Sequence, residues 1–114
     1  MTSEIIGKDY LIIKYLDYGA TSTVYLVRSI EKDTIYAGKV FTTCGDYFLN
    51  EVKALKRLSL DNNQGIIHLI DYGDEPIIKD GNPEKETSQY IIMDYLPNKD
   101  LLKFAEISFT LRIN

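Results

Sequence analysis

Apolar and polar positions follow two different periods along this chain. Residues 10–16 are rich in β-branched and aromatic side chains and run into the small-residue segment Asp17-Tyr18-Gly19-Ala20-Thr21-Ser22, which predicts a strand and then a loop. Strand character resumes over 23–28, and Glu31-Lys32-Asp33 supplies a polar turn before a further strand over 35–41. After Gly45 the period lengthens, because Phe48, Val52, Leu55 and Leu58 recur at three- and four-residue steps. This pattern predicts an amphipathic helix over 46–60 with Asp46 as its N-cap. Residues 61–65 end the helix, 66–70 form a buried-strand run, and 73–88 is a polar stretch with Pro76, Pro83 and Asp80-Gly81, which predicts a long surface turn. A fifth strand follows over 89–95, Pro97-Asn98 breaks it, and 100–104 can begin a short helix. The order of three strands, one helix and two strands predicts an α+β domain with one helix packed on a mostly antiparallel five-stranded sheet.

Two charges fall where this pattern calls for apolar side chains. Successive strand residues point to opposite faces, so Ile35, Ala37, Lys39 and Phe41 share one face and Lys39 lies on the apolar side. On the helix, Glu51 falls within the stripe of Phe48, Val52, Leu55 and Leu58. An unpaired buried charge is very costly, so an inward lysine and an inward glutamate are expected to pair with each other. Taken singly, each has a plainer reading, in which Lys39 snorkels to an edge and Glu51 borders the stripe. The small-residue loop 19–23, whose backbone can lie close over phosphate groups, adds a third element and turns the set toward a nucleotide site.

The composition narrows the alternatives. A chain of 114 residues with 45% hydrophobic content is one domain's worth of sequence with enough apolar side chains for a core. Seventeen acidic against thirteen basic side chains give a net charge of −4, which argues against nucleic acid as a partner. The single cysteine, Cys44, has no internal disulfide partner, and residues 1–4 lack the basic start of a signal peptide, so a reducing cytoplasmic location is expected. No apolar run approaches the roughly 20 residues that span a bilayer, so no membrane role is expected.

With loop, lysine and glutamate in place, the chain resembles the N-terminal lobe of a eukaryotic-type protein kinase, whose marks are a Gly-rich loop, a V-A-x-K strand and a helical glutamate. The resemblance covers residues 9–104 and leaves 105–114 as a tail without a kinase match. Aligned on Val24, the loop keeps the middle glycine, Gly19, and carries Asp17 and Ser22 where the family has its outer two. The lysine stretch is Tyr36-Ala37-Gly38-Lys39, residues 50–58 are similar to the family's C-helix, 65–71 to its fourth strand, and 90–97 to its fifth strand and hinge.

The resemblance implies a kinase-like N-lobe that binds ATP. By that resemblance Lys39 holds the α- and β-phosphates with Glu51 fixing it, Leu16, Val24 and Ala37 sandwich the adenine, and Met93 is the gatekeeper. The Asp94 carbonyl and the Leu96 amide would bond the adenine edge, and Asp100 would reach the ribose. Without the resemblance, Leu16, Val24, Ala37 and Met93 are ordinary sheet core.

Phosphoryl transfer to protein Ser or Thr, as in full-length relatives, also needs a catalytic aspartate and magnesium ligands. The only histidine, His68, is followed by Leu69 and Ile70, so these residues contain no His-Arg-Asp loop. Asp71-Tyr72-Gly73 and Asp17-Tyr18-Gly19 are expected to be turns after strands, and His68 a core or strand-end residue. The chain is therefore expected to be a truncated, pseudokinase-like ATP-binding lobe that is not catalytically competent alone, with a non-catalytic protein-interaction module, docking through its helix face or sheet edge, as the alternative.

Overall fold

The computed structural model describes residues 3–43, 45–60 and 68–95. Six strands and one helix follow one another as β1 (Glu4–Ile6), β2 (Tyr10–Tyr18), β3 (Ser22–Ser29), β4 (Thr34–Phe41), α1 (Tyr47–Leu60), β5 (Leu69–Lys79) and β6 (Asn82–Asp94). Every strand pairing is antiparallel, and the spatial order β1-β2-β3-β4-β6-β5 closes on itself as a barrel. This corrects the expected kinase-like N-lobe with its five-stranded sheet and packed C-helix: the described residues form a closed six-stranded β-barrel, mostly sheet, with one short helix against it.

Two misjudged segments account for the difference. Three-residue β1 is too short to carry a period, yet Ile5 pairs with Leu11 of β2 and with Ile78 of β5 and so joins the two ends of the sheet. The N-terminal end is also clasped to the opposite turn, since Asp80 N donates to Ser3 O at 2.7 Å and Ser3 N donates to the Asp80 carboxylate at 2.8 Å. The second segment is 73–88, which is not a surface turn but the bulk of a long hairpin. Its turn is only Asp80-Gly81, both at positive φ (53° and 83°) between the paired Lys79 and Asn82, as a two-residue hairpin turn requires. Asp71-Tyr72-Gly73 lies inside β5 rather than in a turn.

Alternation along the strands divides the apolar side chains between two cores. Ile6, Tyr10, Val27, Val40, Tyr90 and Ile92 fill the barrel. Ala37, Phe41, Ile91 and Met93 point the other way and pack under α1, which contributes Phe48, Val52 and Leu55. The helix starts where sequence chemistry places it, with Asn50 N donating to Asp46 O at 2.9 Å, so the Asp46 carbonyl accepts the first intrahelical bond as an N-cap does. Gly38 lets the barrel narrow, because a Cβ there would stand 2.9 Å from Val27 Cγ1 and 3.3 Å from Ile6 Cδ1. Among the described residues no helix is long and apolar enough to cross a membrane.

Candidate functional site

Strand alternation and helical periodicity converge on one ion pair. Lys39 follows Ala37 on the outward face of β4, and Glu51 sits among Phe48, Val52 and Leu55 on the inner stripe of α1. Lys39 Nζ donates to Glu51 Oε1 at 2.8 Å, with the two side chains 4% and 1% exposed. The ammonium also lies 5.5 Å from the centroid of the Phe41 ring, which itself meets Phe48 edge-on at 5.7 Å, so aromatic faces share in stabilising the buried cation. Taking two charges out of water costs several kcal/mol per ion, which close pairing offsets.

The strand register sets what surrounds the pair. Asp17 stands opposite Val24, Val24 opposite Lys39, and Lys39 opposite Ile91, so these four form one row on the outward face. The β2–β3 loop begins beside that row. Gly19 N donates to Ser22 O at 2.8 Å, and the residues just past β4 hold the loop down, Thr42 N donating to Thr21 O at 2.9 Å and the Thr43 hydroxyl to Ala20 O at 3.1 Å. A Cβ at Gly19 would meet nothing within 4 Å, so the loop backbone is open to an approaching group there. Asp17 turns one carboxylate oxygen to the Tyr18 amide at 2.8 Å, and Asp71 does the same for Tyr72.

The residues that the resemblance assigns to adenine divide among three places. Ala37 and Met93 are fully buried in the core beneath α1, Val24 packs against that core, and Leu16 is half-buried in β2 at a register shift. Asp94 ends β6, and its carboxylate is 2.7 Å from His68 Nδ1 and accepts the His68 amide at 3.1 Å, while its own amide donates to His68 O at 3.2 Å. His68 is thus an exposed strand-end residue locked to Asp94, a pairing that sequence spacing does not signal. Leu96 and Asp100, with Cys44 and the tail 105–114, lie outside the described residues. A separate cleft of about 430 Å³ opens between the end of β4 and the β5–β6 hairpin, lined by Phe41, Thr43, Asp74, Glu86 and Gln89 among others. It includes none of the site residues expected from sequence.

Inside the barrel, the Tyr10 hydroxyl donates to Asp71 at 2.8 Å. Burial, then this bond and the Asp71 charge, push Tyr10 above the usual tyrosine range, and burial followed by Glu75 and Asp71 pushes Tyr90 up to about 12. Three more tyrosines gather on the β2–β3 hairpin, with Tyr15 6.2 Å from Tyr18 and 6.5 Å from Tyr25 between ring centroids. Strict alternation does not signal this cluster, because β2 shifts register between Tyr15 and Asp17, which brings Tyr15 and Tyr18 to one face despite their odd spacing. Among the described residues no group of three or more His, Cys, Asp or Glu gathers to hold a metal ion. No protein-family model matches this chain, and no curated protein matches it.

Proposed function

We propose that the chain binds ATP through Lys39, with Glu51 orienting the ammonium toward the α- and β-phosphates, and that it transfers no phosphoryl group by itself. The observation that carries this is the buried 2.8 Å pair between strand and helix. A well-packed apolar pair in the same place would stabilise the fold as well or better, so a lysine and a glutamate at these positions favour a role in chemistry or binding. The motif order of the sequence, the loop around Gly19 and the open approach at that glycine point the same way. Asp17, in the row of Lys39, places a negative charge on the side from which a polyanion would come. Catalysis needs an aspartate base and magnesium ligands; these 114 residues hold no His-Arg-Asp motif, so no transfer step is assigned.

Titration of a fluorescent ATP analogue into the folded chain tests the reading. Saturable binding is expected, weakened about tenfold or more in Lys39→Gln, as the loss of a charge-assisted contact implies, and tightened in Asp17→Gly. Absence of saturation at millimolar ATP, or equal affinity in a Lys39→Gln variant that retains its circular dichroism, overturns it.

A second reading, a non-catalytic interaction module, is favoured by the exposed Tyr47 and Leu49 on α1. Closure leaves no open edge among the six described strands, so a partner would dock on the helix. Under this reading Lys39→Gln leaves partner capture intact.

A further inference from the structure

The β2–β3 hairpin carries an exposed aromatic cluster that nucleotide binding does not use. Tyr15 and Tyr25 are cross-strand partners, and the register shift at Leu16 returns Tyr18 to their face. Tyr18 is tilted 35° to Tyr15 and Tyr25 stands at 76° to it, so Tyr15 is flanked by one tilted and one near-perpendicular ring. Tyr15 and Tyr18 are 52% and 73% exposed, while Tyr25 is half-buried against the barrel core. One carboxylate stands near the cluster. Glu4, two residues before Ile6 of the barrel core, shares the face of Tyr25 and acts on its hydroxyl, second to desolvation in raising the group. Lys14, the lysine of β2, pairs with Leu26 and so falls on the opposite face from the Tyr15–Tyr25 pair.

We propose that Tyr15, Tyr18 and Tyr25 form an aromatic cage for a methylated ammonium group, the trimethyllysine side chain of a partner protein. Ring faces carry negative quadrupole charge and attract a cation, and methylation removes the N–H donors whose hydration would otherwise compete. Rings set at an angle offer walls to one cation, and the carboxylate of Glu4 supplies the complementary sign. The openness of the site favours the tip of a long side chain over a free small molecule, which needs most of its surface enclosed. A net charge of −4 opposes stacking of nucleic-acid bases there.

The test uses three peptides of one sequence, carrying trimethyllysine, lysine, or a neutral side chain ending in tert-butyl, titrated into the whole chain and followed by NMR shifts of the tyrosine rings. The trimethyllysine peptide is expected to bind saturably and at least about fivefold tighter than the other two, since one cation–π contact at a semi-exposed site is worth about that factor. Tyr15→Leu and Tyr18→Leu each lose about fivefold, Tyr15→Phe retains affinity because the ring remains, and Leu49→Ala on the helix changes nothing. Both tyrosines are exposed, so an unchanged thermal midpoint confirms that the leucine variants are folded. Equal binding of the tert-butyl peptide, full affinity in folded Tyr15→Leu, absence of saturation, or choline binding as tightly as the trimethyllysine peptide each overturns the proposal.

Discussion

Lys39 and Glu51 each break the period of their own element. A lysine in an alternating strand and a glutamate in a three-four helical stripe can both face inward only if they meet, and they do, at 2.8 Å. Neither position is interchangeable with a neutral residue. Replacing Lys39 alone leaves the Glu51 carboxylate, 1% exposed, without its cation, and breaking a buried pair in this way costs about 3–5 kcal/mol. Lys39→Met is therefore expected to lower the urea midpoint sharply, and the double variant Lys39→Met, Glu51→Leu to recover most of the loss. The recovery is the informative half of the cycle, since it separates the cost of an orphaned charge from any packing defect at β4. The tyrosine cluster shows the opposite case. Tyr15 and Tyr18 are three apart, which strict alternation places on opposite faces, and only the irregular register of β2 brings them together.

At the scale of elements, β2, β3, β4 and α1 followed from periodicity, and the β5–β6 hairpin did not. Asp80-Gly81 is a hairpin turn signal, but Pro76 and Pro83 on either side argued against strands. The structure accommodates both prolines. Pro76 sits at a register shift and Pro83 pairs with Ile78 beside the turn, where a missing ladder donor matters least. The same hairpin supplies a closely confined side chain of the barrel. Tyr90 fits because positions 7 and 73 are glycine; a Cβ at either would stand 2.7 Å from its hydroxyl oxygen. Confinement keeps the phenol neutral, so its folded-state pKa is raised from the ordinary value near 10 to about 12. The unfolded chain then loses this proton first as pH rises. The stability that Tyr90 contributes is fully present below about pH 10 and declines between about pH 10 and 12, at up to about 1.4 kcal/mol per pH unit. Tyr10, raised for the same leading reason, adds to the slope. Urea midpoints measured across this alkaline range are expected to fall, and to fall less steeply in Tyr90→Phe, where one of the two protons is gone.

For the molecule as a whole, closure depends on its smallest element. β1 is the one strand that touches both ends of the sheet, with Ile5 paired to Leu11 and Ile78, and Ile6 fully buried in the barrel core. A period of two needs four or more residues to show in a sequence, so the three-residue β1 leaves no signal and the pattern alone implies an open sheet. The difference bears on function, because an open sheet offers edges for docking and a closed one does not. Proline at position 5 tests how far closure holds the barrel together. It removes the N–H of a residue flanked by strands on both sides, so it is expected to release β1 from its neighbours. In native-state hydrogen exchange the amides of β1, the start of β2 and the distal half of β5 should lose protection in Ile5→Pro. Those of β3 and β4, which pair with each other from Ser22↔Phe41 to Ser29↔Thr34, should retain theirs, as should the Lys39–Glu51 pair that β4 and α1 hold on the outer face. Nucleotide affinity measured on the same variant should then stay near that of the parent chain, since the proposed phosphate contact is built on β4 and α1 and not on the strand that closes the barrel.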